Sequence, residues 1–277
     1  LMAHYMGIGR KHKSDESAGT ATALGISMWI IFAAVCFFIM PAYARMSTTS
    51  PEVIKLVTSY GRIVCTFSIG LFCESVWTKV LQAEGNMRTP MIAQIVGAIV
   101  NIILDPILIW GVGFVPKLGI SGAAIATVIG QSAAAAIVMP KGFRHTPKLW
   151  KYPSYLKKIY HLGFPNILMQ SAYTFYIFGL NMILKTFSDQ AVTALGLYYK
   201  WQAFFFIPLG AMQTCIVPIV SYNYAAGNSE RCSKTLKNSV FMGMALMAFG
   251  TLCFELIPSQ MLSVFSHDPK VIAIGTV

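Results

Sequence analysis

Asp105 is the residue whose type and surroundings point most directly to chemistry, a carboxylate inside the otherwise mostly apolar run Asn101-Ile-Ile-Leu-Asp-Pro-Ile-Leu-Ile109. A charge in an apolar segment is costly, so it usually faces an interior path for ions or protons. Asn101 lies four residues earlier, on the same face of a helix. A carboxylate beside an amide oxygen suits a hard cation such as Na⁺. Pro106 follows directly and lacks a backbone donor, so a local kink there frees carbonyl oxygens as further ligands. The plainer alternative is an Asp near a helix end, satisfied by neighbouring donors.

Other polar groups stand in apolar runs. Glu74 is a second buried-type acid, but Lys79 and Arg62 fall in the same segment and are expected to offset its charge by snorkelling. Lys200, beside Trp201 and Gln202, is either a sensor of protonation state, a partner for an acid on another helix, or a snorkelling lysine. Glu255 and Asp189 fall near outer helix ends and read as interfacial. Gln170, Tyr173, Tyr176, Asn181, Tyr198, Trp201 and Gln213 put polar tips among apolar residues in the second half, and with Lys200 they are the candidates for a substrate cavity. Methionine and aromatic walls repack around different shapes, which a multispecific cavity requires. Each residue singly also reads as ordinary packing.

The elements that must position these groups follow from composition. Hydrophobic residues make up 56% of the chain and charged residues only 11%, with a mean hydropathy of +0.62. A water-soluble domain of this length has no need to bury so much, so the solvent is lipid. A spanning helix needs about 20 mostly apolar residues. Runs of that length fall at 18–43, 54–82, 89–112, 119–140, 157–187, 191–223 and 235–258, with an eighth beginning near Val271.

A net charge of +11 does not mark a nucleic-acid partner, because the basic residues lie in the loops between spans. One alternate set of loops holds Arg10, Lys11, Lys13, Arg88, Lys141, Arg144, Lys148, Lys151, Lys157, Lys158, Arg231, Lys234 and Lys237. The other holds Arg45, Lys55, Lys117, Lys185 and Lys270. Cytoplasmic loops carry the excess, so the first set is cytoplasmic. The 141–158 loop, with Pro147, Trp150 and Pro153, reads as an inter-domain connector or as an ordinary interfacial loop. Six cysteines lie mostly in apolar runs without a C-x-x-C pair or histidines at metal-ligand spacing, so they read as small core residues, and the histidines His4, His12, His145, His161 and His267 are scattered in or near loops. No cleavable signal is visible, and a chain that opens on Leu1 is expected to have lost its true N-terminus.

His4-Tyr-Met-Gly-Ile-Gly-Arg-Lys-His-Lys13 and Tyr222-Asn-Tyr-Ala-Ala-Gly-Asn-Ser-Glu-Arg231 are alike: each leaves a helix through small residues, reaches a Gly, and enters a basic loop. Both loops fall on the cytoplasmic side, six spans apart, as a parallel six-helix repeat requires. On that reading two helices are missing at the start and about two at the end.

Gln82-Ala-Glu-Gly-Asn-Met-Arg-Thr-Pro90, Asn101-Ile-Ile-Leu-Asp-Pro-Ile-Leu-Ile109 and Pro116-Lys-Leu-Gly-Ile-Ser-Gly-Ala-Ala-Ile-Ala-Thr127 closely resemble a cytoplasmic loop and the fifth and sixth helices of the MATE (multidrug and toxic compound extrusion) family. Gly163-Phe-Pro165 and the Pro218 to Asn228 stretch extend the resemblance. It implies an all-α integral membrane fold of two six-helix bundles in parallel pseudo-twofold repeat, both truncated here. It also implies a first lobe at 1–140, a cytoplasmic linker at 141–156 and a second lobe at 157–277, covering helices three to nine and the start of ten. The implied function is an alternating-access antiporter that exports amphipathic, often cationic organic compounds against Na⁺ or H⁺. The family's first-lobe cation site resembles Asn101 and Asp105, with a Thr on helix six that matches Thr127 and an Asp on a first helix that this chain is expected to lack. Many relatives carry an acid on helix seven; Asn166-Ile-Leu-Met-Gln170 has none, which shifts coupling to the first lobe.

No cofactor beyond the coupling ion is expected, nor an enzymatic activity. The protein is expected to work as a monomer in the lipid bilayer of a prokaryotic plasma membrane, on drug-like small molecules. A lipid-linked-sugar flippase of the same superfamily is the alternative, but it needs a strongly cationic cavity, and only Lys200 and Arg62 are candidates. A membrane enzyme is more remote, since acids and histidines do not cluster and no G-x-x-x-x-G-K-[ST] loop occurs. The topology is directly testable. In the full-length protein stripped of native cysteines, Lys117→Cys is expected to react with an impermeant maleimide added outside intact cells, and Lys148→Cys only after lysis.

Overall fold

A computed structural model describes residues 1–47, 50–111, 116–266 and 269–276. Among them every regular element is helical. The chain divides into two compact units, Leu1–Leu156 and Lys157–Val277. The first holds α1 (Met2–Gly7), α2 (Lys11–Ser47), α3 (Pro51–Thr66), α4 (Ile69–Ala83), α5 (Arg88–Trp110), α6 (Ile120–Gly142), a 3₁₀ turn at Leu149–Lys151 and the opening turn of α7 (Tyr152–Lys185). The second holds the rest of α7, then α8 (Asp189–Ala225), α9 (Ser229–Leu256) and two short helices, α10 (Pro258–Ser263) and α11 (Pro269–Gly275). Among the described residues six helices are long and apolar enough to cross a bilayer, or seven if the bent pair α3 and α4 makes one span. Large apolar side chains such as Phe38 (77% exposed) and Phe175 (74%) remain uncovered by protein, as lipid-facing positions do.

The spans follow the apolar runs with three differences. The run expected as one span at 54–82 is two helices meeting at 44°. At the break the Ser68 hydroxyl donates to the Cys65 carbonyl at 2.7 Å, a local bond that competes with the helical ladder. The connector at 141–158 is shorter than expected, because the 3₁₀ turn and α7 take up its second half. The α10 helix, opened by Pro258 at its first turn, has no counterpart among the expected spans.

The two similar segments adopt the same turn. At the end of α1 the Ile8, Gly9 and Arg10 amides donate to His4, Met6 and Tyr5; at the end of α8 the Ala226, Gly227 and Asn228 amides donate to Tyr222, Tyr224 and Asn223. Each is a Schellman closure with glycine in the left-handed region, at φ +71° for Gly9 and +77° for Gly227. The likeness continues beyond the turn: Ser14 Oγ donates to the Met2 carbonyl where Cys232 Sγ donates to that of Val220. Gly85, after α4, closes a third such turn through the Glu84, Gly85 and Asn86 amides.

Within the first unit α6 packs closely on both α4 and α5. A Cβ on Gly97 of α5 would lie 2.8 Å from the Gly130 carbonyl oxygen, and a Cβ on Gly130 2.7 Å from that of Gly97. Gly70 of α4 meets the Ser132 backbone, and Gly142 meets Trp77, as closely. Small residues permit such approach where lipid supplies no hydrophobic drive for helix pairing. Trp77, Leu81, Ala93, Ala134, Ala135 and Val138 fill the core between the three helices.

The segment after α6 is fastened to the same unit by charge. Arg144 pairs with Asp15 at 3.2 Å and Glu84 at 2.6 Å, while Lys151 and Tyr155 both donate to the buried Glu16 carboxylate. The glycine crossing is the feature to test. Gly130→Leu in the full-length protein is expected to cost about 1–3 kcal/mol by overpacking, read as a lower thermal unfolding midpoint in detergent, with Gly130→Ala intermediate.

Candidate functional site

The α5 helix starts cleanly because Asn86 caps it: its Oδ1 accepts the Thr89 amide at 3.1 Å and its Nδ2 donates to Thr89 Oγ1 at 3.0 Å. The helix runs on through Pro106 to Trp110. Proline has no N–H, so the Ile102 carbonyl one turn back lacks its helical donor. Asn101 and Asp105 share a face, and Asn101 Nδ2 donates to Asp105 Oδ1 over a long 3.5 Å. The glycine crossing determines what lies opposite: the Cβ position of Gly130 is 3.1 Å from Asn101 Cβ. Thr127, one turn before Gly130, points its hydroxyl hydrogen at its own helix, bonding the Ala123 carbonyl at 2.9 Å.

A cavity of about 290 Å³ opens between α4, α5 and α6. Asn101 and Thr127 both line it, together with Glu74, Gln94 and Gln131. Asp105 touches Asn101 but is not among the lining residues, lying one turn closer to the end of α5. The structure thus places Asn101 beside Asp105 and on the same cavity wall as Thr127, with Glu74 lining that cavity too. That carboxylate is only 7% exposed and accepts from Thr78 Oγ1 at 2.7 Å. The cations expected to offset it are engaged elsewhere. Lys79 donates to Gln82 at 3.1 Å; Arg62 donates to the Phe37 carbonyl and sits 4.6 Å over the Phe37 ring. Gln131 Oε1, buried and without a hydrogen-bond partner, was not singled out from sequence, and no periodicity marks it.

In the second unit the polar candidates separate by environment. Gln170, Tyr173, Tyr176, Tyr198 and Gln213 are exposed, and Asn181 is half-buried, its amide returned to the Ile177 carbonyl at 2.9 Å. The Tyr173 and Tyr176 rings lie 6.4 Å apart on α7. Trp201 is a packing anchor, its indole N–H donating to the Met261 carbonyl of α10 at 2.8 Å. The Lys200 ammonium lies 5.0 Å over the Phe265 ring, an attraction that helps hold a cation away from bulk water. Glu255 is exposed near the end of α9; the Asp189 side chain and His267 lie outside the described residues.

A family model described as MatE matches residues 1–107 and 165–277. A Thermotoga maritima protein named "Probable multidrug resistance protein NorM" is 22% identical over 99% of this chain and 60% of its own length. A Shewanella oneidensis protein named "FAD transporter" is 27% identical over 69% of this chain and 44% of its own. The solved structure of a point mutant of the Vibrio cholerae MATE transporter VcmN superposes with a TM-score of 0.86 at 22% identity over 100% of this chain and 63% of that one. The chain therefore spans about 60% of the length of the first of these relatives, and the structural likeness is one of fold.

The Trp201 anchor has a measurable role. Trp201→Phe in the full-length protein keeps the ring but strands the Met261 carbonyl, so a loss of about 1–3 kcal/mol is expected, seen as a lower unfolding midpoint and faster hydrogen exchange in α10.

Proposed function

The chain belongs to the MatE family, and from that premise we propose that it serves a secondary antiporter exporting amphipathic or cationic organic compounds in exchange for Na⁺ or H⁺ by alternating access. The observation that carries this reading is the Asn101–Asp105 pair beside Thr127, half-buried oxygen groups on closely crossed apolar helices. A carboxylate kept at such a position is expensive unless an ion or proton visits it. Coupling requires the ion to favour one conformation over the other by its differential affinity. Asp105 is the group whose charge an arriving cation neutralises; Asn101 and Thr127 supply oxygens. The first lobe at 1–140 carries this site, and the second, at 157–277, contributes the substrate walls, with Gln170, Tyr173, Tyr176, Asn181, Tyr198 and Gln213 as adaptable contacts. The multidrug names among the relatives support this substrate class.

A flippase of lipid-linked sugars is less well supported, because each candidate cation is engaged by an aromatic ring within its own unit, Arg62 by Phe37 and Lys200 by Phe265. The "FAD transporter" name of the Shewanella relative favours a second reading, export of an anionic dinucleotide.

Efflux of ethidium and of FAD from proteoliposomes holding the full-length protein, under an imposed Na⁺ or H⁺ gradient, separates the readings. Ethidium efflux is expected under one gradient, reduced at least tenfold in Asp105→Asn. Equal rates in wild type and variant contradict the role of Asp105; FAD efflux without ethidium efflux supports the second reading.

A further inference from the structure

The α2 and α3 helices lie antiparallel, and three contacts give their register. A Cβ on Gly61 of α3 would lie 2.4 Å from Met40 Sδ of α2. Arg62 Nε donates to the Phe37 carbonyl at 3.1 Å. Further along, the Trp29 indole N–H of α2 donates to the Thr66 carbonyl, also at 3.1 Å. Residue numbers therefore fall on α2 as they rise on α3. Cys36 stands one turn before Met40 on the same face of α2, and Cys65 one turn beyond Gly61 on the same face of α3. The register sets the two cysteines opposite each other, and their thiols lie within hydrogen-bonding reach. Both are free and half-buried.

A disulfide forms only where facing backbones present two sulfurs to each other. The helix register and the sulfur contact supply that condition here, for two cysteines far apart in the sequence. Val35 and Phe37, beside Cys36, are exposed, as lipid-facing positions are. An oxidant that reaches this pair therefore arrives through the bilayer, where organic hydroperoxides such as peroxidised acyl chains partition. The break of the bent span follows at once: Ser68 Oγ bonds the Cys65 carbonyl, and α4 begins at Ile69. A covalent bond from Cys65 to Cys36 would tie the end of α3, at the bend, to α2.

We propose that Cys36 and Cys65 form a modification site, a dithiol that an organic hydroperoxide oxidises to an α2–α3 disulfide. One sulfur attacks the terminal peroxide oxygen and the O–O bond breaks. A sulfenic acid forms on that cysteine, and the thiol proton goes to the departing alkoxide, giving an alcohol. The second sulfur attacks the sulfenic sulfur, the S–S bond forms, and the hydroxyl leaves with the second thiol proton as water. Two thiols lose two electrons and one hydroperoxide gains them. The site is separate from the Asn101–Asp105 pair and does not depend on the transport reading.

The test uses the full-length protein in liposomes treated with cumene hydroperoxide. Free thiols are blocked with a light maleimide after denaturation, disulfides are then reduced, and released thiols take a heavy maleimide before peptide mass spectrometry. Cys36 and Cys65 are expected to carry the heavy label to equal extents, with Cys73, Cys215, Cys232 and Cys253 remaining light. Without the reduction step, digestion is expected to yield a peptide that links the two residues. In Cys36→Ala the heavy label on Cys65 is expected to fall at least tenfold, and in Cys65→Ala that on Cys36 likewise. The linked peptide is read in wild type, so the proposal stays testable if a variant misfolds. Light label on both cysteines of the treated wild type overturns the proposal. So does heavy label on Cys65 that persists in a folded Cys36→Ala protein, because its partner is then another thiol.

Discussion

The close approach of α6 to its neighbours is the constraint on which the first unit depends. Lipid is as apolar as the side chains it surrounds, so helices in a bilayer gain little by hiding leucine from it and must associate through tight backbone packing. Here glycine makes that packing possible on two sides of one helix: Gly97 and Gly130 where α5 crosses, Gly70 and Gly142 where α4 lies against it. The same contacts fix the rotation of each helix about its axis. Once Gly130 faces α5, Asn101 packs beside it, and Thr127 and Gln131 are brought to the same cavity wall. The polar site is thus a consequence of where the smallest residues lie.

Charges in this chain obey two regimes. At the polar edge of the first unit they are matched, Arg144 with Asp15 and Glu84, Lys151 with Glu16, and there they fasten the segment leading into α7. Within the apolar helices of that unit the acids bond neutral groups instead: Glu74 has a threonine and Asp105 an asparagine. Pairing at the edge is compatible with a static structural role. On the proposed coupling reading, a carboxylate left without a protein cation among apolar helices is one whose counter-ion comes and goes.

Much of this was legible in the sequence because hydropathy and turn chemistry are local. The apolar runs located the spans, with helix ends up to seven residues beyond the runs, the four-residue spacing put Asn101 beside Asp105, and the glycines near 9 and 227 foretold two turns with matching hydrogen bonds. Three things were hidden, one because a local side-chain bond leaves no mark in hydropathy and two because they depend on partners distant in the chain or on helix rotation. The break after Thr66 carries a serine hydroxyl bonded to a carbonyl three residues back, inside a run that is apolar throughout. The fate of Lys79 and Arg62 depends on which face of the helix each occupies, and Arg62 turns to Phe37 on α2 rather than to Glu74. Gln131 and Glu74 share a cavity only through the phase of α4 against α6, which apolar periodicity does not encode when lipid surrounds much of each helix.

Reactivity of acids within the apolar helices tests the central claim most directly, that the coupling ion binds at the Asn101–Asp105 pair. Dicyclohexylcarbodiimide modifies protonated carboxyls in apolar surroundings, and peptide mass spectrometry of the treated full-length protein identifies which acids react. The account predicts modification of Asp105, suppressed by saturating Na⁺ or by raised pH according to the coupling ion. Modification confined to other acids such as Glu255, or labelling of Asp105 insensitive to both Na⁺ and pH, contradicts it.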